Sequence, residues 1–311
     1  MRRCWMWLMA LVIALTPMAL AEDASIGIIG GADGPTAIYV TGTVQDGLGR
    51  QIEISQVPER IISLSAANTE ILYALGAGDK IVGVDAYSDY PEEALSLEQV
   101  GDYSGPNVEL IASLEPDVIF ASTTLQIEVV EKLEELGFTV VCNEPTGYEQ
   151  IYEGIMLVAA VVGADPTSLI EQMRAQEQAA LARVPEDQEP LKVYYALSFG
   201  EYGDYSAGPG TFIDDMLTMA GAENVAGDSE YAWPMYSGEA ILAADPDVVL
   251  VSDYMHDGSL VEAFKTTAPY SGLRCVEEGR VYAVNDSLTG RPGPRIVDGL
   301  EEIVDALYGE E

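Results

Sequence analysis

Glu109-Leu-Ile-Ala-Ser-Leu-Glu-Pro-Asp-Val-Ile-Phe120 returns in the second half of the chain as Glu239-Ala-Ile-Leu-Ala-Ala-Asp-Pro-Asp-Val-Val-Leu250. In each copy a short helix led by Glu stops at an acidic residue before Pro, because proline disfavours helical geometry at the residue it follows. An Asp then opens an apolar, β-branched run that reads as a buried strand. A repeat this long excludes a short-period solenoid and predicts an α/β chain built as two similar halves. Ligands of such folds sit where strand ends meet, so the cleft between the halves is the expected site.

The pattern extends outward from the first copy. Upstream, Arg60–Leu64 and Lys80–Val84 read as strands flanking a helix over Thr69–Leu75 that Gly76 stops. A Tyr-rich loop, Asp85–Pro91, follows, and Asn107 caps the Glu109 helix. Downstream come a Glu-rich helix over Ile127–Leu136 and a strand over Phe138–Cys142. Tyr148–Val184 is helical except at Gly163-Ala-Asp-Pro166 and is expected to connect the halves. The second half restarts with a strand at Lys192–Ala196 and a helix at Phe212–Ala220. Beyond the repeat come a strand at Val281–Val284 and a terminal helix from Pro294 to Tyr308.

Composition narrows the function. With 311 residues, 48% of them hydrophobic, the chain can bury one large or two moderate cores. Its net charge of −38 opposes approach to a phosphate backbone, so nucleic acid is not an expected partner. Residues 1–21 run from Arg2-Arg3 through an apolar stretch, Trp5–Leu15, to Ala19-Leu-Ala21, the three parts of a secretory signal cleaved after Ala21. Cys4 precedes that stretch, so no lipid-anchoring Cys is read, and the product is expected to be periplasmic or extracellular. Cys142 and Cys275 lie one in each half without metal-ligand spacing. An exported chain permits a disulfide between them, but two buried thiols at strand ends are favoured.

Ser25-Ile-Gly-Ile-Ile-Gly-Gly-Ala-Asp-Gly-Pro-Thr-Ala-Ile-Tyr39 resembles a motif of the membrane β subunit of sodium-pumping decarboxylases, over about fifteen residues only. No Lys follows the glycines, so a phosphate-binding loop is not read there, and a flexible or strand-like extension is expected. An enzyme reading would rest on this segment alone, because there is no nucleophile–base motif, no clustered metal ligands and no histidine besides His256. No catalytic residue is assigned.

Val57-Pro-Glu-Arg-Ile-Ile-Ser-Leu-Ser-Ala-Ala-Asn-Thr-Glu70, Tyr87-Ser-Asp-Tyr-Pro91, Gly101–Leu110 and both repeat copies resemble the periplasmic substrate-binding proteins of iron-compound and cobalamin ABC importers. The resemblance covers roughly residues 41–308. It implies two Rossmann-like lobes with mostly parallel central sheets, joined by a single long connecting helix, with a ligand cleft between them. The division implied is a signal at 1–21, an extension at 22–43, a first lobe at 44–147, connecting helices at 148–186 and a second lobe at 187–311.

Within that class the chain is most similar to cobalamin binders, which grip a corrinoid with aromatic side chains from both lobes. The motifs carry this role to Tyr87 and Tyr103 in the first lobe and to Tyr205 and Trp233 in the second, with Tyr202, Tyr231 and Tyr254 behind them. Flat aromatic faces suit a broad, flat macrocycle. The chain departs from the pattern in having Ala121-Ser122 where the family carries Trp, and Tyr in place of Trp at 103. Haem and ferric siderophores therefore remain alternative ligands, for which His256, Arg291 and Arg295 are candidate contacts. The resemblance also implies that Glu109 and Glu239 meet basic residues of a permease dimer, the binding protein itself being a monomer. The plain alternative for both is a glutamate placed in the first helical turn by the helix dipole.

Overall fold

The computed structural model describes residues 25–29, 37–102, 105–122, 127–185 and 187–309. The expected signal segment, Cys4 and Tyr103 lie outside the described residues.

Each half of the chain builds a four-stranded parallel sheet of identical topology. The first contains β4 (Ile61–Ser63), β5 (Ile81–Val84), β6 (Val118–Ala121) and β7 (Val140–Cys142) in the order β5-β4-β6-β7. Three helices connect them: α1 (Ala66–Ala74), α2 (Val108–Ser113) and α3 (Ile127–Glu135). The second contains β8 (Lys192–Ala196), β10 (Glu223–Asn224), β12 (Val248–Asp253) and β13 (Val281–Asn285) in the order β10-β8-β12-β13. Here the connections are α6 (Phe212–Met219), α7 (Gly238–Ala244), α8 (Ser259–Thr266) and α9 (Arg274–Glu277). Two further helices, α10 (Asp286–Thr289) and α11 (Ile296–Tyr308), follow β13. The second half also carries a two-stranded antiparallel pair, β9 (Asp204–Tyr205) with β11 (Met235–Tyr236).

The repeat explains the shared topology atom by atom. Asn107 Oδ1 caps α2 by accepting from Leu110 N at 3.1 Å, and Ser237 Oγ caps α7 by accepting from Ala240 N at 3.2 Å. Both helices end at an acidic residue in left-handed geometry, Glu115 at φ 46° and Asp245 at φ 45°. The next Asp then anchors the incoming strand. Asp117 Oδ2 accepts from Arg60 N at 2.9 Å, and Asp247 Oδ2 accepts from Lys192 N at 2.9 Å.

Alternation along the strands divides the core. Ile61, Phe120, Val193, Tyr195 and Leu250 point inward to one shared cluster. Ile62 and Ile119 face a satellite core under α2 and α3, while Tyr194, Val249 and Val251 face another under α7, α8 and α9. Both sheet faces are covered, which is why the strands read as continuous apolar runs.

The shared cluster is completed by α4 (Tyr148–Val162), whose Ile151, Ile155 and Val158 are fully buried, and by Leu300 and Ile303 of α11. The helix α5 (Thr167–Leu181) packs on α11, and the interruption expected at Gly163 falls between α4 and α5, with Gly163 left-handed at φ 70°. One apolar core therefore runs through both lobes, and opening them widely would expose it to water.

N-terminal to the first lobe, β1 (Ser25–Ile29), β2 (Ala37–Gln45) and β3 (Gln51–Ile54) form an antiparallel meander. Its last turn docks on β7. The buried Asp46 carboxylate accepts from Arg50 Nε at 3.0 Å and from Cys142 N at 3.2 Å, and Gly47 N donates to Cys142 O at 2.7 Å. An added Cβ at Gly47 would lie 3.0 Å from that carbonyl, so the close approach favours glycine there.

Three expectations need correction. The first helix begins at Ala66, three residues before the expected Thr69, because Ser65 supplies the extended residue ahead of it. Cys275 lies in α9 and not at a strand end. The β9–β11 pair, β10 and helices α9 and α10 were not anticipated, being too short to display a period of their own, and neither was the eight-residue amphipathic helix α8. Both cysteines are free and buried.

Candidate functional site

The C-terminal ends of the parallel strands converge where the lobes face each other. After β4 comes α1, whose Glu70 carboxylate is buried, with 2% of its side chain exposed. It accepts from Arg295 Nε at 2.9 Å and Nη2 at 2.6 Å, and from Arg291 Nη1 at 3.3 Å. Arg291 also donates to Asp89 at 2.6 Å, and the Arg295 guanidinium lies 3.9 Å from the centre of the Tyr90 ring. Asp89 and Tyr90 belong to the loop that carries Tyr87. The two arginines of the second lobe thus clasp the first lobe and fix its aromatic loop. Hydrogen bonding from Arg291 holds the Asp89 carboxyl below its ordinary value.

The root of that loop is a buried polar chain. Thr69 Oγ1 donates to Ser63 Oγ at 2.9 Å and lies 2.7 Å from Ser88 Oγ, which in turn donates to Asp85. Burial pushes the Asp85 carboxyl above its ordinary value. Tyr87 itself, at the tip, is 51% exposed.

In the second lobe the β9–β11 pair sets Tyr205 opposite Met235 and builds an aromatic cavity of about 560 Å³. Tyr205, Tyr231, Trp233, Pro234, Met235 and Tyr236 line it, with Asp228 and Glu230 at its edge. The pair is held from behind by Ser206 N donating to Pro234 O at 3.0 Å and Tyr236 OH donating to Val225 O at 3.2 Å. A second cavity, of about 370 Å³, lies among Leu197, Phe199, Tyr202, Tyr254, Leu260 and Ala263.

His256 follows β12 in left-handed geometry, φ 55°, half exposed, with Nε2 3.7 Å from Asp286 Oδ1. Among the described residues no group of three or more His, Cys, Asp or Glu side chains is placed to hold a metal ion. Glu109 and Glu239 occupy the same position in α2 and α7, each exposed, and neither carboxylate meets a hydrogen-bonding or ion-pairing partner among the described residues.

The structure therefore brings Tyr205 and Trp233 into one cavity and turns Arg291 and Arg295 onto carboxylates of the opposite lobe. Sequence reasoning missed Glu70, Asp89 and Tyr90 as the partners of those arginines. The available signal was scarcity: the chain has only 14 Lys and Arg, and two of them stand within the six residues Gly290–Arg295. Tyr231, expected behind the ligand contacts, lines the same cavity as Tyr205 and Trp233.

Comparison with known proteins gives a consistent picture. The profile of a periplasmic binding protein family matches residues 61–288. An uncharacterized ABC transporter substrate-binding lipoprotein of Bacillus subtilis is 32% identical over 274 residues, covering 86% of this chain and 85% of its own. The crystal structure of the periplasmic vitamin B12 binding protein of Vibrio cholerae is similar at 31% identity and a TM-score of 0.69, covering 81% of this chain and 97% of its own. That of the periplasmic heme binding protein of Vibrio cholerae is similar at 26% identity and a TM-score of 0.70, covering 80% and 98%.

Proposed function

The chain belongs to the periplasmic binding protein family, as an ABC-transporter substrate-binding protein and not an enzyme, and from that premise we propose that it captures a corrinoid between its two lobes for delivery to an importer. The observation that carries this reading is the aromatic cavity framed by Tyr205 and Trp233. Broad π faces recover large contact area from a flat macrocycle at low entropic cost. The likeness to vitamin B12-binding relatives supports it.

In this reading Tyr87 faces the same ligand from the first lobe, Arg291 and Arg295 hold the lobes and do not touch the ligand, and Glu109 and Glu239 meet basic residues of the permease. Exposed pairs of this kind contribute only about 0 to 1 kcal/mol each, so they set orientation and encounter rate more than affinity. The chain acts after export and loss of residues 1–21, with lobes at 44–147 and 187–311 joined through 148–186.

Haem is the second reading, favoured by His256, a half-exposed imidazole on the loop that leaves the C-terminal end of β12. Calorimetric titration of the chain from Glu22 with cyanocobalamin and, separately, with hemin decides between them. Tight one-to-one binding of cyanocobalamin is the expected result. Heat from hemin alone would replace the corrinoid reading with the haem reading.

A further inference from the structure

Six positions lead from Trp233 to Glu239, and six lead from Tyr103 to Glu109 in the first half of the chain. In each half an aromatic residue expected at the ligand precedes, by the same short stretch, the glutamate expected at the permease. The second lobe shows how that stretch is held. After Pro234, β11 pairs Met235 with Tyr205 and Tyr236 with Asp204. The very next residue, Ser237, caps α7: its Oγ accepts from Ala240 N at 3.2 Å, and its carbonyl accepts from Ala240 N at 3.0 Å and from Ile241 N at 3.1 Å. Glu239 is the second residue of that helix, so nothing intervenes between the wall of the aromatic cavity and the cap that aims Glu239.

The same turn is clamped from a third segment. An added Cβ on Gly238 would stand 2.3 Å from Pro269 Cγ, so α7 begins flat against Pro269 and the contact favours glycine. Tyr270, next in the chain and 3% exposed, donates its hydroxyl to Asp204, which lies opposite Tyr236. The pair β9–β11, the start of α7 and Pro269-Tyr270 form a closed ring of contacts, and a shift of β11 is carried to the helix start.

One member of the ring is weak. Each strand of the pair is two residues long, and Tyr231, Trp233 and Met235 are 71%, 46% and 64% exposed, so little of the core stands behind them. Short exposed pairs open locally at small cost. A ligand that spans Tyr205 and Trp233 binds the paired arrangement and closes it. A helix of seven residues is marginal by itself and takes its start from its cap. We propose that Trp233–Glu239 is a coupling element in which ligand on the aromatic wall orders β11 and, through the positioning residues Ser237 and Gly238, holds Glu239 in its docking position, so that a loaded chain is told from an empty one at α7.

This coupling rests on the corrinoid and docking readings, and the experiment separates their failures. Residue-resolved hydrogen exchange is measured at Ala240 and Ile241 of the chain from Glu22, with and without saturating cyanocobalamin. Calorimetry on the same samples reports binding. The expected result is exchange slowed by about tenfold or more in the loaded chain. The slowing is lost in Ser237→Ala and in Gly238→Ala at unchanged ligand affinity, and it is kept in Ser237→Thr, which restores the cap. Melting temperature checks that each variant is folded. A ligand-free arm uses the double variant Tyr205→Cys, Met235→Cys, whose directly opposed positions are within reach of a disulfide, while the native thiols Cys142 and Cys275 stay buried. Oxidation is expected to slow exchange at Ala240 and Ile241, and reduction to reverse it. Cyanocobalamin binding with unchanged exchange would overturn the coupling and leave the corrinoid reading standing. Absence of cyanocobalamin binding would overturn the corrinoid reading, and the disulfide arm then decides the coupling: slowed exchange supports it and unchanged exchange overturns it.

Discussion

Glu70 of α1 and Arg295 at the start of α11 form a two-point ion pair between the lobes, at 2.6 and 2.9 Å, with the carboxylate withdrawn from solvent. A guanidinium at a helix N-terminus is placed against the helix dipole, and the buried carboxylate offsets that cost. Because Glu70 also meets Arg291, removing it leaves two partly buried cations without their shared partner. Glu70→Ala is therefore expected to lower unfolding free energy by about 3 kcal/mol in denaturant titration. A loss below about 1 kcal/mol would mean that solvent replaces the carboxylate and that the pair does not hold the lobes.

The Asp89–Arg291 pair gives a pH signature of defined sign. The native carboxyl is held below its ordinary value of 3.8, chiefly by the hydrogen bond from Arg291, so its contribution is present above that value and is lost as pH falls through the native one. Asp89→Asn is expected to melt lower than the parent at pH 7, by the equivalent of under about 1 kcal/mol because Asp89 is half exposed. The gap should close below about pH 4. A gap that persists to pH 2 would assign the effect to packing.

Trp233 is 46% exposed and makes little of the core, so its truncation separates binding from folding. Trp233→Ala is expected to weaken corrinoid binding by about 1 to 3 kcal/mol with melting temperature unchanged. Unaltered affinity would remove Trp233 from the contact surface.

Glu109 and Glu239 are exposed on helices α2 and α7 and are not among the residues that line the aromatic cavity. Reversing both to Arg is expected to abolish uptake in a reconstituted importer while leaving ligand affinity intact. Normal uptake by the double variant would return both residues to the role of helix-start glutamates.

Burial pushes the Cys142 thiol up to about 12 and the Cys275 thiol up to about 11. The native chain from Glu22 is expected to resist a thiol-specific disulfide reagent at pH 8 and to titrate two thiols once denatured. No thiol in denaturant would mean that the pair is oxidised.

Much of this architecture was legible because it is local. The Pro after Glu115 and Asp245, the caps Asn107 and Ser237, and the apolar runs Val118–Ala121 and Val248–Leu250 each act within a few residues, so a repeated sequence folds into repeated elements. Even the equivalence of Glu109 and Glu239 follows from their place one residue into each capped helix.

The site divides differently. The motifs imply aromatic ligand contacts in the second lobe, but Tyr205 and Trp233 share one cavity only through the pairing of β9 with β11, each two residues long. The clasp was invisible because Glu70 and Arg291 are 221 positions apart and belong to no shared period. Sequence alone determined the two lobes, their strands and the helices that bear the paired glutamates, because hydrogen-bonded elements form from neighbouring residues. Only the tertiary structure decided which charges meet across the cleft and where its cavities lie, because those contacts exist only after one continuous core has brought distant segments together.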